Sequence, residues 1–97
     1  MKHMSLKEIA TACGGIYYGD TASLSTEVSG VAIDSRKIED GYLFIPIKGA
    51  RVDGHDFIPQ VIEQGALCTL SEKKLENASH PYILVESCPD AMKLIAE

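Results

Sequence analysis

Apolar residues recur at helical spacing three times along the chain, and each run has its own start signal. Leu6, Ile9, Ala10 and Cys13 stand at i, i+3, i+4 and i+7 and form one apolar stripe, with Lys7, Glu8 and Thr11 on the other face. Ser5 and Glu8 have the spacing of a capping box, Met4 and Ile9 that of a hydrophobic staple, and Gly14-Gly15 supplies the stop. Pro59 marks a second helix, because proline is accommodated only in a first turn, where its missing N–H has no partner to lose. That helix is predicted to begin near Asp56, with Asp56 as N-cap, Phe57, Ile58, Val61 and Ile62 buried, and Gly65 as a left-handed cap. Ser87-Cys88-Pro89-Asp90 opens a third, in which Ala91, Met92, Leu94 and Ile95 continue the apolar pattern to Glu97 without Gly, Asn or Pro. The chain is expected to end inside a longer element.

Between these helices lie short β-prone runs. Residues 16–18 end at Gly19-Asp20 and lead into a Ser/Thr-rich loop as far as Val28. Residues 28–33, 42–47, 66–70 and 82–85 are the other strand candidates, and an Asp40-Gly41 turn precedes the second of them. Pro46 predicts that the strand over 42–47 lies near an edge or a bulge. Strands alternating with helices point to an α/β layer structure, with no internal repeat.

At 97 residues the chain accommodates one domain with one core. Fourteen acidic against nine basic residues leave a net charge of -5, which argues against nucleic acid, a partner met by clustered Lys and Arg. Cys13, Cys68 and Cys88 are widely spaced and form no CxxC pair, so they read as buried thiols instead of zinc or redox ligands. No stretch approaches membrane-spanning length and no signal-like apolar segment follows Met1-Lys2-His3-Met4-Ser5, so a reducing cytoplasm fits best.

Catalytic groups are sparse. GK[ST] does not occur, and Gly14-Gly15 follows a helix, lacking the strand-to-helix setting that aims N–H groups at phosphate. His55 has no Ser or Cys beside it to activate, so a role at a helix entry is expected of it. Asp53 and Asp56 make only two of the oxygen ligands a metal requires, and Lys73, Lys74 and His80 read as solvated surface. No catalytic residue and no metal site is expected. Chemistry concentrates in residues 31–37, 41–49 and 52–58, where strand ends converge on a glycine-bearing loop. Ser35 offers a hydroxyl, Arg36, Lys48 and Arg51 offer charge, and loop amides complete a set suited to a uracil edge and a diphosphate. On composition alone, a charged turn beside a solvated loop accounts for the same residues.

The string DSRKIEDGYLFIPIKGARVDGHDFIPQVIEQGA resembles the amino-terminal domain of the muramoyl-peptide ligases of peptidoglycan-precursor synthesis, whose pattern is DSR, a GxLF strand, a KG loop and DGHDFI. The resemblance extends more loosely over nearly the whole chain. The opening SLKEIATACGG is most similar to the branch that adds D-alanyl-D-alanine, the sister branch being the one that adds the third peptide residue.

The resemblance implies an α/β fold with a small mixed sheet and about three helices. Residues 1–85 would form the domain that binds the uridine end of UDP-N-acetylmuramoyl-tripeptide, and residues 86–97 would begin a helix leading to a central P-loop domain. Carried over by position, the uridine contacts fall on Ile33 and Ser35 and on Ala50, Arg51 and Val52. Asp34, Arg36, Lys48 and Gly49 would support them. ATP and Mg2+ belong to the full-length enzyme, in which ATP converts the peptide carboxylate to an acyl phosphate that the incoming amine attacks. No cofactor is implied for these 97 residues. The partners implied are the UDP-linked peptide and the remaining ligase domains in cis, with no nucleic acid and no membrane span. A non-catalytic module of similar sequence, fused to another enzyme, is the alternative from a different class.

Overall fold

The computed structural model describes residues 4–49, 51–75 and 80–96, with the Ala96 side chain left aside. α1 (Leu6–Cys13) forms on the predicted capping box: Glu8 N–H donates to Ser5 Oγ at 3.2 Å, and Ser5 N–H donates to Glu8 Oε1 at 3.0 Å. Gly14 stops it in the left-handed region, at φ 67°. β1 (Ile16–Tyr18) follows, then a 3₁₀ turn (Thr21–Ser25) within the expected loop. β2 (Gly30–Ala32) and β3 (Tyr42–Phe44) are shorter than the runs that predicted them. α2 (Ile58–Glu63), β4 (Cys68–Ser71), β5 (Tyr82–Leu84) and α3 (Cys88–Ala96) complete the order.

The five strands form one sheet in the order β1-β5-β4-β3-β2. β2, β3, β4 and β5 run parallel, and β1 pairs antiparallel with β5 at one edge, so the sheet is mixed as expected. Parallel neighbours need a crossover, and α2 provides it between β3 and β4. Helices cover both faces, and β4, in the interior, is buried along its whole length.

Side-chain alternation divides the core between the faces. Leu43, Ile45, Cys68, Leu70 and Ile83 face Leu6 and Ile9 of α1 and Cys88, Ala91 and Ile95 of α3. Phe44 points the other way, into a smaller cluster with Ile38, Ile58, Val61 and Ala66. Of the apolar run in α3, Leu94 stands apart at 52% exposed.

Several expectations need correction: Cys13, Phe57 and Ile62 are half-buried, not buried. β3 is an interior strand between β2 and β4, neither an edge nor a bulge. Pro46 lies two residues past its end, where no ladder hydrogen bond is asked of its nitrogen. The helix near Pro59 is entered earlier than Asp56, through a 3₁₀ turn (Gly54–Phe57) capped by Asp53, and Asp56 is an exposed first-turn residue. α2 then starts at Ile58, which keeps Pro59 in a first turn. His80 is half-buried, not solvated. Its Nε2 lies 3.3 Å from Thr69 Oγ1, and burial lowers its pKa below the usual histidine value. Glu97 lies outside the described residues.

Candidate functional site

β2 and β3 run parallel, so their carboxyl ends open on the same side of the sheet, the side on which α/β folds hold ligands. Each strand end continues into a loop arm, and the two arms enclose a cleft of about 600 Å³.

The first arm carries Ile33 and then a single 3₁₀ turn (Ser35–Lys37). Asp34 caps and braces that turn. One carboxylate oxygen accepts from Arg36 N–H at 2.9 Å and from Arg36 Nε at 3.1 Å, and the other from Nη2 at 3.0 Å. Asp34 and Arg36 thus brace the turn against each other. The Arg36 guanidinium, joined by its backbone N–H, holds the Asp34 carboxyl down to about 2. A depressed acid contributes to the folded state above its ordinary pKa of 3.8 and loses that contribution as pH falls toward 2. We therefore expect the carboxyl carbon of Asp34 to titrate in NMR with a midpoint near 2. A midpoint near 4, the ordinary aspartate range, would show the brace to be absent in solution.

The second arm is closed by its own backbone. Gly49 N–H donates to the Val52 carbonyl at 2.7 Å, Lys48 and Asp53 form an antiparallel bridge, and Gly54 N–H donates to the Ile47 carbonyl at 3.0 Å. Gly54 is required there by space: an added Cβ would lie 2.6 Å from Ile47 N and 2.9 Å from Pro46 Cα. Asp53 accepts from His55 N–H at 2.9 Å and meets His55 Nδ1 at 2.7 Å. These contacts, the backbone one foremost, lower the Asp53 carboxyl below its usual range. His55 Nε2 accepts from Glu72 N–H at 2.9 Å, so both ring nitrogens are engaged and neither is available to a substrate.

Ile33, Asp34, Ser35 and Arg36 line one side of the cleft, and Gly49 and Val52 the other. Phe44, Ile47, Gly54, Phe57 and Gln60 also line it, and none of these was singled out as a contact from sequence. Their signal was present: Phe44 and Phe57 belong to the GxLF and DGHDFI motifs, where they read as core. Ile33 is 51% exposed and Val52 52%, which leaves two aliphatic side chains of the lining open to solvent. Among the described residues the Ser35 hydroxyl has no hydrogen-bond partner, and neither Lys48 nor Arg51 has an ion-pair partner. Lys48 and Arg51 are exposed on the second arm but do not line the cleft. Ala50 lies outside the described residues.

Other chemistry is weak. Among the described residues no group of three His, Cys, Asp or Glu is placed to hold a metal. Burial pushes the Cys68 and Cys88 thiols up to about 12, which makes them poor nucleophiles. No helix among the described residues is long and apolar enough to cross a membrane. The arrangement suits a ligand with a flat ring for the aliphatic jaws and polar groups for the Ser35 turn and the loop amides.

The chain resembles known proteins over nearly its full length. The family model described as "Mur ligase family, catalytic domain" matches residues 27–97. A UDP-N-acetylmuramoyl-L-alanyl-D-glutamate--2,6-diaminopimelate ligase of Listeria innocua is 40% identical over 94 residues, 97% of this chain and 18% of the relative. A UDP-N-acetylmuramoyl-tripeptide--D-alanyl-D-alanine ligase of Bacillus subtilis is 40% identical over 74 residues, 74% of this chain and 16% of the relative. Among solved structures, MurF from Acinetobacter baumannii superposes with a TM-score of 0.85 at 26% identity, covering 97% of this chain and 20% of its own. This chain therefore spans about a fifth of the length of such proteins. By sequence match and by fold, it belongs to the Mur ligase family.

Proposed function

We propose that these residues form the domain by which a Mur ligase grips the uridine diphosphate end of a UDP-N-acetylmuramoyl-peptide. The observation that carries this reading is the cleft itself: Ile33 and Val52 both line it and stand exposed, beside a Ser35 hydroxyl with no hydrogen-bond partner among the described residues. A uracil ring fits between the two aliphatic side chains and hydrogen-bonds to Ser35. The diphosphate falls to the amides of the second arm, with Lys48 and Arg51 as nearby cations and Ala50 as a backbone contact. The role is anchoring, because binding energy spent on the nucleotide orients a carboxylate far from it.

We assign ATP and Mg2+ to parts of the ligase other than these residues. The sequence lacks a GK[ST] loop, and the described residues lack a metal-ligand cluster. In the full-length ligase those groups belong to other domains in cis, in a cytoplasmic enzyme. Two readings of its reaction have support. The opening segment and the likeness to MurF favour addition of D-alanyl-D-alanine to the UDP-linked tripeptide. The 40% identity to a diaminopimelate ligase over 97% of the chain favours addition of the third peptide residue. Assay of the full-length protein with each acceptor and its amine separates them, and failure with both leaves the non-catalytic module.

UDP added to the chain should shift the amide signals of residues 33–36 and 49–53, with a dissociation constant of roughly 1 mM, a few hydrogen bonds being set against the cost of association. Ser35→Ala should weaken binding by about 1 kcal/mol, roughly fivefold. Unmoved amides in both segments at several mM UDP would refute the nucleotide reading.

A further inference from the structure

His55 is 7% exposed, contributes nothing to the cleft lining, and yet joins its own turn to a second segment and, through Glu72, to a third. Its Nδ1 meets Asp53, the residue whose backbone bridges Lys48 at the base of the second arm. Its Nε2 accepts from the N–H of Glu72, just beyond β4. Glu72 in turn reaches the start of α3, where its Oε2 accepts from Cys88 N–H at 2.7 Å. The arm bearing Gly49 and Val52 is thus tied through one imidazole to the corner where β4 ends and α3 begins. Because Glu72 N–H is a donor only, Nε2 is the accepting nitrogen and the ring proton sits on Nδ1, directed at the Asp53 carboxylate.

We propose that His55 is a positioning residue for the nucleotide cleft: as the neutral Nδ1–H tautomer it fixes the second arm against the β4–α3 corner, and so sets the distance between the two walls. This inference rests on the nucleotide reading of the cleft. The physical ground is that a loop held at one end by its own hydrogen bonds still pivots about that base. A site that grips a flat ring between two side chains loses affinity when one wall shifts by about 1 Å. Asp53 closes the loop on itself, and His55 joins it to the rest of the fold.

Two variants separate the two bonds. Asn at position 55 can still donate to Asp53 but is too short to reach Glu72 N–H. Gln can accept from Glu72 N–H but gives up the Asp53 contact in that rotamer. In the 97-residue chain, long-range 1H–15N correlation of the His55 ring should show the Nδ1–H tautomer near neutral pH, without nucleotide. His55→Asn and His55→Gln should each shift the amides of Gly49, Val52 and Asp53 in the free chain and weaken UDP binding at least threefold, while Ser35 keeps its own response to UDP. An Nε2–H tautomer in the unsubstituted chain overturns the proposal even if neither variant folds. So does a folded variant that binds UDP as tightly as the unsubstituted chain. If the unsubstituted chain ignores UDP, the nucleotide reading falls and with it any role in ligand grip. The tautomer and the free-chain amide shifts then still report whether His55 holds the arm.

Discussion

Phe44→Ala should destabilise the chain by about 3–5 kcal/mol, a large share of the roughly 5–15 kcal/mol that holds a domain together. Phe44 is 1% exposed and is the largest side chain in the cluster between the sheet and α2, where Ile38, Ile58, Val61 and Ala66 surround it. That cluster is the smaller of the two, so its neighbours have little apolar mass with which to fill a phenyl-sized void. Phe44 also lines the cleft, and a variant that survives should lose nucleotide affinity along with stability. Urea unfolding followed by circular dichroism gives the number. Leu94→Ala, at a residue 52% exposed, serves as the control and should change stability by less than about 0.5 kcal/mol. A loss below about 1 kcal/mol for Phe44→Ala would mean that the α2 face is not packed as described.

Gly54→Ala should have the second largest effect, and it should be felt first in the cleft. The new methyl would press on backbone, Ile47 N at 2.6 Å and Pro46 Cα at 2.9 Å, which cannot swing aside as the end of a flexible side chain does. Relief requires the two sides of the second arm to separate, at the expense of the hydrogen bond from Gly54 N–H to the Ile47 carbonyl. Overpacking of this kind costs about 1–3 kcal/mol, and nucleotide binding should fall by more than tenfold because Gly49 and Val52 move with the arm. Gly49→Ala makes the comparison. A Cβ there meets only the Val52 carbonyl oxygen at 3.4 Å, an ordinary contact, so stability should be nearly unchanged. Equal effects from the two alanines, measured by thermal melts and UDP titration, would remove the steric explanation.

The two glycines sit five residues apart, one in the KG loop and one in DGHDFI, and nothing local in the sequence ranks one above the other. Only the approach of Pro46 and Ile47 to Gly54 distinguishes them, a contact made when the arm folds back on itself. Asp53 and Asp56 are a similar case. Both precede the helix at acceptable spacing, and the cap went to Asp53 because a 3₁₀ turn, tied down by the His55–Glu72 contact, comes before the α-helical one. Pro46 misled for a related reason. Proline bars a ladder partner at its own position, but the strand ends at Phe44, so β3 is free to lie in the interior.

What the sequence determined by itself is local or periodic. The caps at Ser5 and Gly14, the first-turn prolines, the apolar stripes of the helices and the α/β class all depend on residues within a turn or two of each other. The motif around Asp34, Ser35 and Arg36 was legible for the same reason, since its brace spans two residues. The tertiary structure alone decided the strand order, the antiparallel edge of β1, the meeting of Ile33 and Val52 in the lining of one cleft, and the join from His55 through Glu72 to α3. Each of these sets residues side by side that lie 12 or more positions apart, from Gly30 and Tyr42 at 12, through His55 and Glu72 at 17, to Ile16 and Leu84 at 68. Such pairings follow from packing the whole sheet at once, and no local spacing encodes them.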